Sequence, residues 1–129
     1  MKKQILLLST VIVVFFIAAC KDNHESQKPD DEKKLTALYA DIQKMAQQIK
    51  CENAGDWKYT AIGSKACGGP TGFVAYSIKL DTSVFLQKVR SYTAQQDAFN
   101  KKWGVSSDCM AVLPPKGVAC EDGKPKLIY

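Results

Sequence analysis

The hydrophobic residues of this chain recur with helical spacing in two separate stretches. In both, the interval between successive members alternates between three and four residues, which places their side chains along one face of an α-helix. The first stripe is widened by Tyr39 and Ala46 and consists of Leu35, Leu38, Ile42, Met45 and Ile49. The second consists of Phe85, Val89, Tyr92, Gln96, Phe99 and Trp103. We therefore predict two amphipathic helices, over about residues 32–50 and 82–103.

The residues at the predicted helix ends support this assignment. Asp30 and Asp31 follow a proline and are suited to capping the first helix and to complementing its dipole. Asp81 stands at the start of the second helix and Gly104 at its end, where glycine commonly terminates a helix. Because neither helix can bury its stripe alone, we predict that the two pack as an antiparallel pair.

The link between the predicted helices has about thirty residues, far more than usually join two helices. Within it, residues 73–78 have the β-branched and aromatic content of a short strand, whereas residues 57–60 fit a strand or a helical turn equally well. Gly68, Gly69 and Pro70 separate the two, and their backbone preferences predict a turn. We expect the link to be a working loop that disulfides hold in place.

Two short apolar runs near the C-terminus, residues 110–113 and 118–120, flank the sequence Pro114-Pro115-Lys116-Gly117. This pattern predicts a small hairpin or a closed loop, followed by a second turn over residues 121–125. The fold class that these elements predict is α+β and mainly helical. We expect a small disulfide-stapled domain with two amphipathic helices and short irregular or β segments.

The N-terminus has the organisation of an export signal. Two lysines precede an apolar run over residues 6–16, which is too short for a membrane span of about 20 residues. The run is followed by Ile17-Ala18-Ala19-Cys20, which resembles the lipobox of bacterial lipoproteins. The resemblance implies that Cys20 is acylated and becomes the first residue of the mature chain, and Lys21 after it implies the outer membrane. The alternatives are an ordinary secretory signal with a chance cysteine, or an uncleaved anchor.

Residues 1–19 are accordingly predicted to be a lipoprotein signal peptide, residues 20–31 an acylated flexible tether and residues 32–129 a single globular domain. The tether is polar and has no hydrophobic periodicity, so it has nothing to bury. It also contains His24, the single histidine of the chain. We expect a protein of the bacterial cell envelope that is attached to the membrane by its N-terminal lipid.

Apart from Cys20, the chain has an even number of cysteines, which in a small exported domain predicts disulfides. They are Cys51, Cys67, Cys109 and Cys120. Of the possible pairings we favour the local one, Cys51–Cys67 with Cys109–Cys120, because each bridge then closes a short stretch of chain. A metal site would need closely spaced cysteine pairs or histidines, and neither occurs, so we predict no metal ligands.

The residue types required for common catalytic arrangements are missing from the predicted domain. It contains no histidine, which excludes Ser-His-Asp and Cys-His catalysis, and bridged cysteines leave no thiolate. Carboxylate pairs such as Asp56 with Glu52, or Asp108 with Glu121, remain open for acid–base work, but no spacing singles them out. The sequence has no phosphate-binding loop and no dinucleotide fingerprint. We therefore predict no catalytic residues and no cofactor.

The charge of the chain is mildly positive. The net charge is +5, and removal of the signal peptide with its two lysines would lower it to +3. No basic run with interleaved aromatic residues is present, so we predict no nucleic-acid partner.

Several motifs of the domain resemble a group of small exported bacterial proteins that are uncharacterised and many of which carry lipobox signals. The resemblance covers about residues 50–129 and rests on Trp57-Lys58-Tyr59, Ile62-Gly63, Cys67-Gly68-Gly69-Pro70-Thr71-Gly72, Tyr76-Ser77, Tyr92-Thr93 and Ser107-Asp108-Cys109. It implies an envelope location and a shared scaffold with two disulfides. It supplies no reaction, ligand or catalytic residue.

The function that remains is binding. A constrained loop with large aromatic side chains is a good contact element, because little conformational entropy is lost when it binds. The candidate binding residues are Trp57, Tyr59, Gly68, Gly69, Pro70, Phe73 and Tyr76. Alternatively, the aromatic residues cover the helix pair as a lid. We expect an envelope protein or glycan partner, and the protein is either an inhibitory or immunity module or a structural lipoprotein that contacts another envelope protein or peptidoglycan.

Overall fold

The computed structural model describes residues 24–129, with side chains from residue 27 onward, as two helices and two β-hairpins. The predicted signal peptide and Cys20 lie outside this range. In chain order the elements are helix α1 (His24–Ala46), a 3₁₀ turn (Ala54–Asp56), strands β1 (Trp57–Ile62) and β2 (Gly72–Ser77), helix α2 (Thr82–Trp103), and strands β3 (Gly117–Glu121) and β4 (Lys124–Ile128). No helix in the described part of the chain is long and apolar enough to cross a membrane.

The two helices pack against each other in antiparallel orientation, as predicted. The rings of Tyr39 and Tyr92 lie 5.4 Å apart between centroids in the middle of the pair. Asp41 forms an ion pair with Lys88 one turn further along. The shared face is the predicted one, because Ile42 of α1 and Phe85 of α2 are fully buried in the same cluster.

Helix α1 begins earlier and ends earlier than the sequence predicted. Residues 24–31, which we expected to be part of an unstructured tether, are helical, and the helix ends at Ala46 rather than near residue 50. Asp31 accounts for the difference at the start. Its carboxylate lies 2.7 Å from the Lys102 ammonium and accepts a hydrogen bond from the Trp103 indole at 3.3 Å. Asp30 and Asp31 therefore lie inside the helix and do not cap it.

Helix α2 has both of the ends that its sequence predicted. The Asp81 side chain accepts a hydrogen bond from the backbone N–H of Val84 at 3.1 Å and so caps the first turn. Gly104 ends the helix in the left-handed conformation, with φ of 58°. Val89 and Tyr92 are buried along with Phe85, so this part of the second stripe belongs to the core.

The long link between the helices contains an antiparallel hairpin. Strand β1 pairs with β2 in a register that places Trp57 opposite Ser77 and Ile62 opposite Gly72, so residues 57–60 form a strand rather than a helical turn. One face of this hairpin lies on the helix pair and contributes Ile62, Val74 and Tyr76 to the main core.

The C-terminal hairpin is formed by β3 and β4, with Gly117 opposite Ile128. Its turn lies at Asp122 and Gly123, both of which have positive φ. The prediction of a hairpin around residues 114–117 is therefore wrong: the sequence 110–113 forms no strand, and only the turn predicted over residues 121–125 is present. Val118 and Leu127 of this hairpin pack against the second core cluster.

The cysteines form two disulfides, but the local pairing that we predicted is wrong. Cys51 is bonded to Cys120 and Cys67 to Cys109, with Cα–Cα distances of 5.3 Å and 5.6 Å. The local pairing does not form because the extended strand β1 lies between Cys51 and Cys67 in the chain and holds the two cysteines apart. Each bridge instead joins the central link to the C-terminal tail. The helices cover less than half of the described residues but about twice as many as the strands, so the domain is α+β with helix as its more abundant element.

Candidate functional site

Two of the predicted binding residues are core residues. Trp57 is 6% exposed and packs with Cys51 and Ala75, and Tyr76 is 7% exposed and stacks on Phe85 with ring centroids 5.0 Å apart. Side chains buried to this extent have no surface to offer a partner. The lid interpretation is correct for Tyr76, which lies in the core cluster of the helix pair. Trp57 is buried on the other face of the hairpin, in the second core cluster.

Two other candidates, Tyr59 and Phe73, are half-buried. They lie on the hairpin face opposite the helix pair, where their rings meet edge to face at 5.9 Å. Each ring therefore covers part of the other, which leaves this pair with less free surface than the sequence predicted.

The remaining candidates form the tip of the loop between β1 and β2. Gly68 and Gly69 are exposed, with φ of 94° and 81°, and Pro70 is half-buried. The turn is closed by Gly68 N–H donating to Lys65 O and by Lys65 N–H donating to Gly69 O, both at 2.9 Å. A methyl group at either glycine would meet nothing within 4 Å, so it is the backbone conformation that requires glycine there.

The base of this loop is bound to helix α2 by polar side chains. Thr93 Oγ1 accepts from Gly63 N–H at 3.0 Å, and Gln96 Oε1 accepts from Ser64 N–H at 2.9 Å. Asn100 donates to Ser64 O at 2.8 Å. These contacts explain why a polar residue, Gln96, occupies a position in the apolar stripe. The loop is therefore held rigidly before any partner arrives.

The Cys67–Cys109 bridge brings a part of the tail, residues 105–116, to the same surface. Lys65 is central to this contact, because its ammonium binds the Asp108 carboxylate and also donates to Met110 O at 2.8 Å. Ala66 N–H donates to Ser107 Oγ at 3.1 Å. The hydrogen bond and the charge of Lys65 lower the pKa of Asp108, which keeps this carboxylate ionised. The Ser107-Asp108-Cys109 motif is thus the part of the tail that is fixed to the loop.

The next residues of the tail, 110–114, are named here the presented loop. Met110 and Leu113 are 75% and 74% exposed, the highest values among the large hydrophobic side chains in the described range. Beyond the loop, Pro115 is buried and Lys116 N–H donates to Ile128 O at 2.6 Å. The presented loop is therefore anchored at both ends while its apolar side chains face solvent.

Sequence reasoning placed Met110 and Leu113 in a small hairpin or a closed loop and missed them as contact residues. A periodicity argument cannot separate a short buried apolar run from an exposed one. The signal that was available is the arrangement of the run between a disulfide cysteine and Pro114-Pro115. A bridge and two rigid residues can hold such a run away from the core.

The carboxylates considered for acid–base chemistry are each paired with a lysine. Asp56 lies 2.7 Å from Lys79, and Glu121 lies 2.8 Å from Lys126. Glu52 is 3.9 Å from Lys50 and exposed, and Asp108 is held by Lys65 as described. Within residues 27–129 no group of three or more histidine, cysteine or acidic residues is arranged to hold a metal ion. The turn at residues 65–70 and the presented loop instead provide a rigid surface with exposed apolar side chains, suited to contact with a partner.

An open groove of about 650 Å³ lies between β1 and α2. Its lining includes the apolar side chains of Ala61, Leu86 and Ala94 and the charged side chain of Arg90. Comparison of the chain with protein-family models, with curated proteins and with solved structures finds no match. The fold and the surface define a small α+β domain in which two disulfides hold an exposed loop, and this geometry is the basis for assigning a function.

Proposed function

We propose that the protein is a non-catalytic binding or inhibitory module of the bacterial cell envelope. Its contact element is the bridged surface, which we define as the turn at residues 65–70 together with the presented loop. The observation that carries the proposal is the exposure of Met110 and Leu113 on a backbone that is anchored on both sides. We assign to these two residues the contact role that we had predicted for Trp57 and Tyr76.

The energetic argument rests on preorganisation. When a partner removes exposed apolar side chains from water, the free energy of the complex is lowered by about 25 cal/mol per Å² of apolar area that becomes buried. A flexible loop would lose much of that gain in conformational entropy when it became ordered. The Cys67–Cys109 bridge and the contacts of Lys65 order this loop in advance. Leu113 and Met110 are therefore placed as anchor residues of an interface.

The envelope location is supported by the lipobox-like sequence and by the two disulfides. Disulfides persist in oxidising compartments and are rare in the cytosol. Attachment to the outer membrane through an acylated Cys20 would hold the bridged surface near other envelope proteins. Cys20→Ala should abolish palmitate labelling and release the protein from the detergent-extracted membrane fraction. Unchanged labelling and membrane retention would contradict the lipoprotein assignment.

The binding proposal is tested by site-specific photocrosslinking in the source bacterium. The full chain is expressed with a photoreactive phenylalanine analogue at position 113, at position 110 or, as a matched control, at position 84. Val84 is 39% exposed on helix α2, outside the bridged surface. We expect one dominant crosslinked product from positions 110 and 113, which mass spectrometry identifies, and none from position 84.

Absence of a product at both loop positions would contradict the proposal, as would the same products at position 84. A product that contains peptidoglycan rather than protein would favour the structural role over inhibition. Expression of Leu113→Asp alongside the crosslinking variants should compete poorly for the partner, because it places a charge where the interface is apolar.

A further inference from the structure

We infer that the presented loop binds in the active-site cleft of an endopeptidase with an apolar specificity pocket, and that it inhibits this enzyme with Leu113 as the anchor in that pocket. The inference rests on the proposed function, because it names the partner class for the same surface. Three properties of residues 110–114 carry it: the backbone, the side chains and the proline that follows Leu113.

The backbone of the loop has the form that a peptide-binding cleft accepts. The chain runs without a turn or bend from residue 105 to residue 115. Residues 111–114 form no hydrogen bond to any other residue within the described part of the protein. Their N–H and C=O groups, apart from the missing N–H of Pro114, are free to pair with an extended strand of a partner. Main-chain pairing of this kind gives affinity, while side-chain pockets give specificity.

The side chains indicate an apolar pocket. From Cys109 to Pro115 the chain carries no charge. The nearest charges along the chain are Asp108, which is paired with Lys65, and Lys116 beyond the loop. Met110 and Leu113 are the most exposed of the large hydrophobic side chains in the described range. Both are therefore available to apolar pockets of a partner.

Leu113 is the better anchor for the primary pocket. The carbonyl of Met110 accepts a hydrogen bond from the Lys65 ammonium, so the peptide bond after Met110 is held toward the domain. The carbonyl of Leu113 has no such partner in the described range. With Leu113 in the pocket, the peptide bond that faces the catalytic groups of the enzyme is the bond to Pro114.

That bond explains why the loop would inhibit rather than serve as a substrate. Its nitrogen belongs to the proline ring, which fixes φ and restricts Leu113 to extended conformations. Both ends of the loop are attached to the domain, at Cys109 by the disulfide and at Lys116 by the hydrogen bond to Ile128. The loop therefore stays in the cleft, and the enzyme turns over slowly or not at all.

The test uses the full chain in detergent against chymotrypsin, subtilisin, elastase and papain, with chromogenic peptide substrates. We expect inhibition of at least one of these enzymes with Ki below about 1 µM. Leu113→Asp should raise Ki at least tenfold, whereas the matched control Val84→Asp should leave it unchanged. Melting temperatures of both variants are measured alongside, since both positions are exposed and the fold should persist.

A second variant tests the role of the proline. Pro114→Ala should turn the loop into a substrate that is cut after Leu113 at least tenfold faster than in the parent chain, as followed by mass spectrometry. Inhibition of none of the four enzymes would overturn the inference, and so would an equal effect of Leu113→Asp and Val84→Asp. Equal cleavage rates for the parent and Pro114→Ala would also overturn it.

The outcome is separable from that of the proposed function. If none of the enzymes is inhibited and photocrosslinking at position 113 still yields a single partner of another class, the endopeptidase inference fails and the binding function stands. If crosslinking at positions 110 and 113 also yields nothing, both fail.

Discussion

The two disulfides hold two different kinds of structure. Cys51 is 3% exposed and lies in a core cluster with Trp57 and Ala75, against which Val118 and Leu127 pack. Cys67 and Cys109 are exposed, and their bridge holds one loop against another at the surface. The first bridge completes a hydrophobic core, whereas the second positions groups that face solvent. Bridges that look alike in the sequence therefore serve stability in one region and contact geometry in the other.

The largest expected effect is the loss of the buried bridge in the double variant Cys51→Ala/Cys120→Ala. The bridge spans a sequence separation of 69, for which the chain-entropy model gives about 4 kcal/mol. The lost sulfur atoms also leave space beside Trp57. Denaturant unfolding should show a loss of at least that size. A loss smaller than that of the exposed bridge would contradict the comparison.

The next largest effect is the difference in the free energy of unfolding between truncation of a core residue and truncation of a contact residue. Trp57→Ala should lower the free energy of unfolding by about 3–5 kcal/mol, because it truncates a buried aromatic side chain. Leu113→Ala should change it by less than about 0.5 kcal/mol, as exposed substitutions generally do, while it weakens partner capture. Chemical denaturation and crosslinking yield, measured per folded molecule, distinguish the two. A destabilised Leu113→Ala would mean that the loop serves the fold.

Removal of the exposed bridge should cost less than removal of the buried one. For Cys67→Ala/Cys109→Ala we expect a loss of about 2–4 kcal/mol from loop closure alone, because no core is opened. Amide exchange should become faster in residues 107–113 and remain slow in β1 and β2. Inhibition or crosslinking at position 113 should fall by more than the fraction of unfolded protein explains. A uniform rise in exchange across both hairpins would contradict this division.

The smallest effect concerns the pH dependence of the bridged surface. The hydrogen bond and charge of Lys65 lower the pKa of Asp108 below its usual value of 3.8. The ion pair is therefore complete above that value and is lost as the pH falls through the lower, folded-state pKa. Carboxyl chemical shifts should show a titration midpoint below 3.8, and Lys65→Gln should return it toward the ordinary value. An unshifted midpoint in the parent protein would mean that Lys65 does not hold the loop.

The parts of the fold that the sequence predicted well are those encoded locally. Asp81 and Gly104 define the ends of α2 through bonds and backbone angles within a few residues. The antiparallel helix pair was predictable because each helix has an apolar face that must be buried against another element, and the two faces bury each other. Helix α1 was less predictable, because Asp31 links its first part to Lys102 and Trp103, which are 71 and 72 residues further along the chain. No local pattern contains that contact.

The candidate site was predictable in part. The rigid turn at Gly68 and Gly69 is present as expected, since positive φ favours glycine. The disulfide pairing was not predictable, because it depends on the direction in which β1 leaves Cys51 and on the path of the tail. The aromatic residues of the link were candidates either for contact with a partner or for a lid on the helices, and the structure shows that Trp57 and Tyr76 are buried. Composition shows that a side chain is apolar, but not which surface covers it.

The two bridges are nested, since the Cys67–Cys109 loop lies inside the stretch between Cys51 and Cys120. A single backbone cut anywhere within that stretch therefore leaves two fragments that remain covalently joined. A nicked molecule would run as one band without reductant and as two bands with it. If the protein meets endopeptidases as inferred above, this topology keeps the C-terminal hairpin attached to the N-terminal part of the chain even after a cut.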